Sequence, residues 1–274
     1  MSPSIFLQDI YIYPIKSLGG IRLNESQVEE KGLRYDRRWM LVDQNGTFVS
    51  QRKYPQLALL HVHLQQDGLE VVNTQKADMR IIIPYKMKGV GGISVSVWDD
   101  QFDALHLSTE LDDWFSDFLD FDVRLVKMPE TTQRKVDPNY AVNEESVSFA
   151  DGMPYLLISQ ASLDDLNAKL DEKIPMNRFR PNLVFAGMEP FQEDEVGRFS
   201  IGKVDFQGIK LCARCVMTTV DQETGAKGKE PLKTLATYRQ RGNKILFGQN
   251  VVALTLGKIK VGDEVTFDSN KKGA

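Results

Sequence analysis

The stretch RFSIGKVDFQGIKLCARCVMTTVD, residues 198–221, decides how the chain is read. It is strand-like sequence broken by glycine, and its β-branched VMTTV end continues the pattern. Comparable segments lie on either side. Ile10 to Ile15 forms a short run closed by Gly19-Gly20. RRWMLVD, QNG and TFVSQ read as a hairpin with a type I′ turn at Asn45-Gly46. ALLHVHL, GLEVV, MRIIIP and GISVSVW carry the pattern to Trp98, and RPNLVFAG and NVVALTLGKIKVGDEVTF resume it later. Helical signals are few. Leu111, Trp114, Phe115 and Phe118 fall on one stripe between Glu110 and Phe121. Ser162 reads as the N-cap of a helix bearing Leu163, Leu166 and Leu170, and Pro231 opens a short helix over Leu232 to Arg239. The fold class is therefore mainly β with a few short helices (α+β), of barrel or sandwich construction.

A length of 274 residues suggests two domains. The polar segment at 127–147, with two prolines, reads as a surface connection. It divides the chain into 1–126, 127–268 and a loose tail at 269–274. The net charge of −4 offers no global basic field for nucleic acid. No apolar run approaches the roughly 20 residues of a membrane helix, and the N-terminus does not read as a signal peptide. Two cysteines make no disulfide framework, so the expected compartment is the cytoplasm. GAKGKEP lacks the spacing of a phosphate-binding P-loop.

Cys212 and Cys215 stand in a C-x-x-C frame. On an extended backbone, residues three apart face opposite sides. A disulfide needs its Cβ atoms roughly 4 Å apart. Zinc takes four ligands, and the histidines, His61, His63 and His106, lie far away in sequence. A single thiolate beside Arg214, or two cysteines packed as small apolar groups, are the remaining readings.

Other segments combine cations with tight backbone. YPIKSLGG places Lys16 and Ser17 before a glycine turn, where amides, a hydroxyl and an ammonium converge on a phosphate. YDRRWM carries Arg37 and Arg38, one facing inward and one outward in a strand. NRFRPN puts Arg178 and Arg180 on one face if extended, and Pro181 biases Arg180 toward extended geometry. FADGMPYLLIS adds a turn at Gly152.

YPIKS, RFRPN, CARCVMTTVDQETG, KEPLKTLATYR and LFGQN, in this order, resemble the MOSC-domain proteins. The closer resemblance is to the branch with an N-terminal β-barrel domain, which includes amidoxime-reducing components and bacterial reducers of N-hydroxylated bases. It implies a MOSC-associated β-barrel domain at 1–126 and a MOSC β-barrel domain at 127–268. It also implies a molybdenum cofactor, a pyranopterin whose metal takes one protein cysteine as a ligand, here Cys215. The family's anchoring positions map onto Lys16, Ser17, Arg37, Asp151, Gly152, Met153, Arg180, Asn182, Ala213 and Arg214. Ala213, Gly152 and Met153 depart from relatives that carry hydroxyl residues there, leaving main-chain contacts. The implied activity is reductive removal of oxygen from N-hydroxylated small molecules such as hydroxylamino-purines and amidoximes, a detoxification. Asp221 is either a proton relay or a turn cap. Electrons would come from an iron–sulfur or haem protein in trans, since a cluster usually takes four cysteines. The rival readings are a molybdenum-cofactor or sulfur carrier without turnover, and a thiol-redox or zinc protein.

Overall fold

The structure, a computed structural model, describes residues 4–268; the expected loose tail at 269–274 lies outside them. It is mainly β, with three α-helices among the described residues. The largest sheet runs Val265–Phe267, Arg198–Ile201, Val204–Arg214, Lys244–Ala253, Tyr155–Ser159, Leu183–Ala186, Phe6–Ile12 and Ile21–Leu23. The ladder of named strands is an open path, and an isolated antiparallel bridge between Phe6 and Glu264, with the Val265 amide bonded to Ile5 O at 2.9 Å, links Phe6–Ile12 to the start of Val265–Phe267. Neighbours along that path are antiparallel except Tyr155–Ser159 and Leu183–Ala186. These two are parallel and need a crossover, which the helix Gln160–Asn167 supplies. A four-stranded sheet joins Trp39–Val42, Arg124–Lys127, Asp100–His106 and Gly91–Val97.

The two halves of the chain are stitched together in space. Phe6–Ile12 pairs with Leu183–Ala186, with Leu7 opposite Phe185 and Ile10 opposite Leu183. Glu25–Glu29 pairs with Gly257–Lys260 near the other end. Leu7, Ile10 and Ile12 are fully buried in one core with Leu157, Leu183, Phe185 and Val251. A second core, around Trp39, Leu57, Leu60 and Phe115, fills the N-terminal half. Residue 126 remains our proposed division between sequence units, and the strands from Phe6 to Leu33 cross it in space.

Local chemistry shifts three expected features. Thr109–Leu119 is helical as the stripe predicts, capped by Ser108 Oγ, which accepts from the Leu111 amide at 3.3 Å. The second helix starts earlier than expected. Ser159 is its cap, and its hydroxyl accepts from the Ser162 amide at 3.1 Å. Ser162 is needed elsewhere: its Oγ donates to the wholly buried Glu193 at 2.8 Å. The turn at Asn45-Gly46 is not type I′, because only Gly46 has a positive φ (77°). The Asp43 carboxylate accepts from the Asn45 and Thr47 amides, both at 2.9 Å, and the Gly46 amide bonds Asp43 O at 3.0 Å. An aspartate thus builds the loop one residue earlier. The third helix is shorter than expected, Leu232–Ala236.

Leu7→Ala removes a buried side chain at the seam between the halves. It is expected to cost about 2–5 kcal/mol in denaturant unfolding. Tryptophan fluorescence, which reports the N-terminal half, and far-ultraviolet circular dichroism should still give one coincident transition.

Candidate functional site

A cleft opens where the turn after Phe6–Ile12 meets the loops at 35–38, 150–153 and 176–182 and the end of Val204–Arg214. Six cations line it, Lys16, Arg37, Arg52, Arg178, Arg180 and Arg214, against one carboxylate, Asp151. In a chain of net charge −4, that surplus marks a site built for an anion. Ser17, Gly152, Met153, Asn182, Ala213 and Cys215 line the same cleft, so the structure brings together all of the cofactor-binding residues expected from sequence. Asp221 does not line it.

Like charges this close repel, and the surrounding residues hold them. The buried Tyr13 ring carries the Arg180 guanidinium 4.1 Å and the Arg37 guanidinium 4.3 Å from its centroid. Asp36, fully buried, accepts from the Tyr13 amide at 2.8 Å and from Arg37 Nη1 at 2.6 Å. Arg37 also donates to Asn182 Oδ1 at 3.1 Å and Arg180 O at 3.3 Å. Arg180 donates to Leu18 O at 2.7 Å. Burial pushes the Arg180 guanidinium down to about 10, which leaves it charged at neutral pH.

Three lining residues adopt left-handed backbone: Ser17 (φ 72°), Arg37 (φ 49°) and Arg180 (φ 55°). Each costs on the order of 1–3 kcal/mol and persists only where surroundings enforce it. Arg180 was expected to be extended before Pro181. Instead Met176–Phe179 forms a 3-10 turn, and Arg180 ends it in the left-handed region. Arg178 and Arg180 therefore part company. Arg178 bonds Thr218 O at 3.1 Å and Asp221 Oδ2 at 2.8 Å, fixing the loop beyond Cys215. Asp221 Oδ1 accepts from the Glu223 amide and the Thr224 amide and hydroxyl at 2.9–3.1 Å. Those contacts are the turn-capping role.

On another wall, Lys16 Nζ donates to Phe149 O at 2.7 Å and Asp151 Oδ1 at 2.6 Å. Burial lowers the Lys16 ammonium to about 8, although Asp151 opposes the shift. Desolvation would raise the Asp151 carboxyl, but Lys16 and Arg52 outweigh it and hold it well below the usual carboxylate range. Arg134, buried, shapes this loop by donating to Ser148 O at 2.8 Å, Ala150 O at 2.5 Å and Asp151 O at 3.0 Å. It comes from the segment read as a surface connection.

The cysteines are free, Cys215 exposed and Cys212 half-buried against the core of Leu156, Phe179 and Phe247. They were expected on opposite faces, yet both line the cleft. The ladder slips between Leu211 and Ala213, and the strand ends at Arg214. Arg214 was expected to be the charged neighbour of Cys215. Its Nη1 instead donates to Cys212 Sγ at 3.1 Å and its Nη2 to Phe179 O at 2.5 Å. The guanidinium at Cys215 belongs to Arg52, whose Nε lies 3.5 Å from Sγ and whose Nη2 donates to Asp151 Oδ2 at 2.8 Å. Sequence reading missed Arg52, Arg134 and Phe48. No group of three or more His, Cys, Asp or Glu side chains is set to hold a metal among the described residues. His106 is engaged with Asp112 at 2.5 Å.

The MOSC domain family matches residues 144–266 and the MOSC N-terminal beta barrel domain family matches residues 4–122. The chain is 32% identical over 275 residues to mitochondrial amidoxime-reducing component 1 of Homo sapiens, covering 93% of this chain and 81% of that protein. It is 35% identical over 278 residues to mitochondrial amidoxime reducing component 2 of Rattus norvegicus, covering 93% and 81%. It is also 32% identical over 272 residues to molybdenum cofactor sulfurase of Arabidopsis thaliana, covering 90% of this chain and 33% of that protein.

Two outcomes are expected from this geometry. Sulfate does not titrate near neutrality, so its affinity reports the cleft's charge. Above about pH 8 the Lys16 ammonium loses its proton and the cleft loses a cation. Sulfate affinity measured by calorimetry should therefore fall from pH 7 to pH 9, with proton uptake on binding, and Lys16→Gln should flatten that slope. Iodoacetamide followed by peptide mass analysis should modify the exposed Cys215 well before Cys212.

Proposed function

The chain belongs to the MOSC family, in the branch whose MOSC domain follows an N-terminal β-barrel domain, and on that premise we propose that it is a molybdenum-cofactor-dependent reductase of N-hydroxylated compounds. One observation carries the reading: an exposed free thiol, Cys215, opens into a cleft lined by six cations and one carboxylate.

The residues suit a phosphate-bearing pterin with a thiolate-ligated metal. Ser17 Oγ and Arg214 Nε are buried without a hydrogen-bond partner beside the cleft, and an acceptor-rich ligand would satisfy them. A Cβ at Gly152 would meet nothing within 4 Å, so that turn is open to a ligand. Cys215 Sγ would be the metal ligand. Lys16, Ser17, Arg37, Arg180, Asn182 and Arg214, with the main chain of Asp151 to Met153 and Ala213, would hold the pterin and its phosphate. When bound, the cofactor supplies a two-electron centre able to take oxygen from an N–OH group. The overall reaction consumes two electrons and two protons, breaks the N–O bond and yields an N–H compound and water.

The chain's own groups contribute positioning and protons. Arg52 keeps a fixed positive charge between Asp151 and Cys215. Asp151, held ionised, does not give up a proton at neutral pH. Lys16 Nζ, lowered to about 8, is a cleft group poised to do so. Asp221 shapes the Cys215 loop through Arg178. Two cysteines are too few for both a metal ligand and a four-thiolate cluster. We infer an electron donor outside these 274 residues, an iron–sulfur or haem protein, and a reducing cytoplasmic setting in which Cys215 stays free. No described helix is long and apolar enough to cross a membrane.

The similarity to a cofactor sulfurase favours a second reading, a cofactor or sulfur carrier without turnover. Protein made in a host that synthesises the cofactor should contain molybdenum, lose it in Cys215→Ser and keep it in Cys212→Ser. Loaded protein given a reductant should reduce benzamidoxime to benzamidine. Molybdenum without turnover of any N-hydroxylated compound would favour the carrier, and equal sensitivity to both serine substitutions would remove the single-ligand assignment.

A further inference from the structure

Val97 and Asp100 pair at the end of the hairpin formed by Gly91–Val97 and Asp100–His106, leaving Trp98 and Asp99 as its turn. Trp98 has a φ of 55° and is 53% exposed. Turns of this kind favour glycine or asparagine, and a bulky residue with positive φ is an outlier. An exposed, strained tryptophan is poorly explained by packing, and such strain collects at functional sites.

The neighbours of the indole point to its use. Phe48 meets it edge-on, with ring centroids 5.2 Å apart at 66°. The Arg52 guanidinium lies 4.5 Å from the centre of the Trp98 ring. That same guanidinium reaches Asp151 Oδ2 at 2.8 Å and Cys215 Sγ at 3.5 Å. Arg52 and Phe48 line the cleft. Trp98 itself is not a lining residue, but one arginine of the cleft touches both the exposed ring and the exposed thiol.

We propose that Trp98 is a specificity-determining platform on which flat aromatic or heteroaromatic N-hydroxylated substrates stack, with the N–OH group directed past Arg52 toward Cys215. This rests on the reductase reading and adds to it a residue that selects among its substrates. Stacking is tolerant of ring identity, because any aromatic face serves. Arg52 acts as a positioning residue, holding the indole from below.

The test compares benzamidoxime with acetamidoxime, which share the reacting group and differ in the ring. Trp98→Gly removes the indole and suits the left-handed backbone, so the variant is expected to fold; Trp98→Phe keeps a ring. The ratio of kcat/KM for the aryl over the methyl substrate should fall about tenfold in Trp98→Gly, mainly through KM, and recover largely in Trp98→Phe. A parallel loss on both substrates, with the ratio unchanged, would overturn the proposal. If loaded wild-type protein reduces neither amidoxime, the reductase reading fails and calorimetry with adenine decides the platform. Adenine binding that weakens about tenfold in Trp98→Gly supports it, and no difference between the two proteins overturns it.

Discussion

Arg37 and Arg180 share one buried phenol ring, and much of the cleft depends on that arrangement. Two guanidinium groups side by side are repulsive, and burying them adds desolvation. Tyr13 offers its π-face to both, and Asp36 neutralises only one charge. The balance leaves a positive field whose natural complement is an anion. That field does not come from composition, because the whole chain is acidic. It comes from loops that a common ring and a buried carboxylate bring together.

Much of this was legible in the sequence, and the illegible part has a physical pattern. The runs read at Ile10 to Ile15 and from Asn250 onward catch only parts of the strands Phe6–Ile12 and Lys244–Ala253, whereas the stripe of Thr109–Leu119 shows its helix. Lys16, Arg37 and Arg180 sit in short motifs next to glycine, aspartate or proline, so their local setting betrays them. Arg52 has no such setting, for its thiol partner lies 163 positions away. Arg134 hides in a polar segment that reads as solvated surface, yet its guanidinium is buried in the loop it shapes. Assigning Arg214 to Cys215 followed sequence adjacency. The end of the strand and the slipped register give Cys212 that partner instead. Pro181 biases Arg180 toward extended backbone, but the bonds fastening Arg180 to Leu18 and Arg37 prevail.

The strain at Ser17, Arg37 and Arg180 belongs to the same logic. Left-handed backbone at three lining residues fixes where their groups point before any ligand arrives. A rigid cradle loses little freedom on binding, which favours tight retention of a resident group. Arg178 does the same for the opposite wall, because its pairing with Asp221 anchors the loop that displays Cys215.

The pairing of Phe6–Ile12 with Leu183–Ala186 sets an order of events during synthesis. Phe6–Ile12 can pair early with Ile21–Leu23, but its other neighbour, Leu183–Ala186, is made far later, and Glu25–Glu29 waits still longer for Gly257–Lys260. Contacts so distant along the chain form slowly, so the seam closes late, although the core around Trp39, Leu57, Leu60 and Phe115 lies wholly within the N-terminal half. Lys16 and Arg37 emerge early, yet their cradle is completed by Arg180 and by the loop of Cys215. On the proposed reading, a cofactor would find its full set of contacts only after Arg180 and the loop of Cys215 have been made.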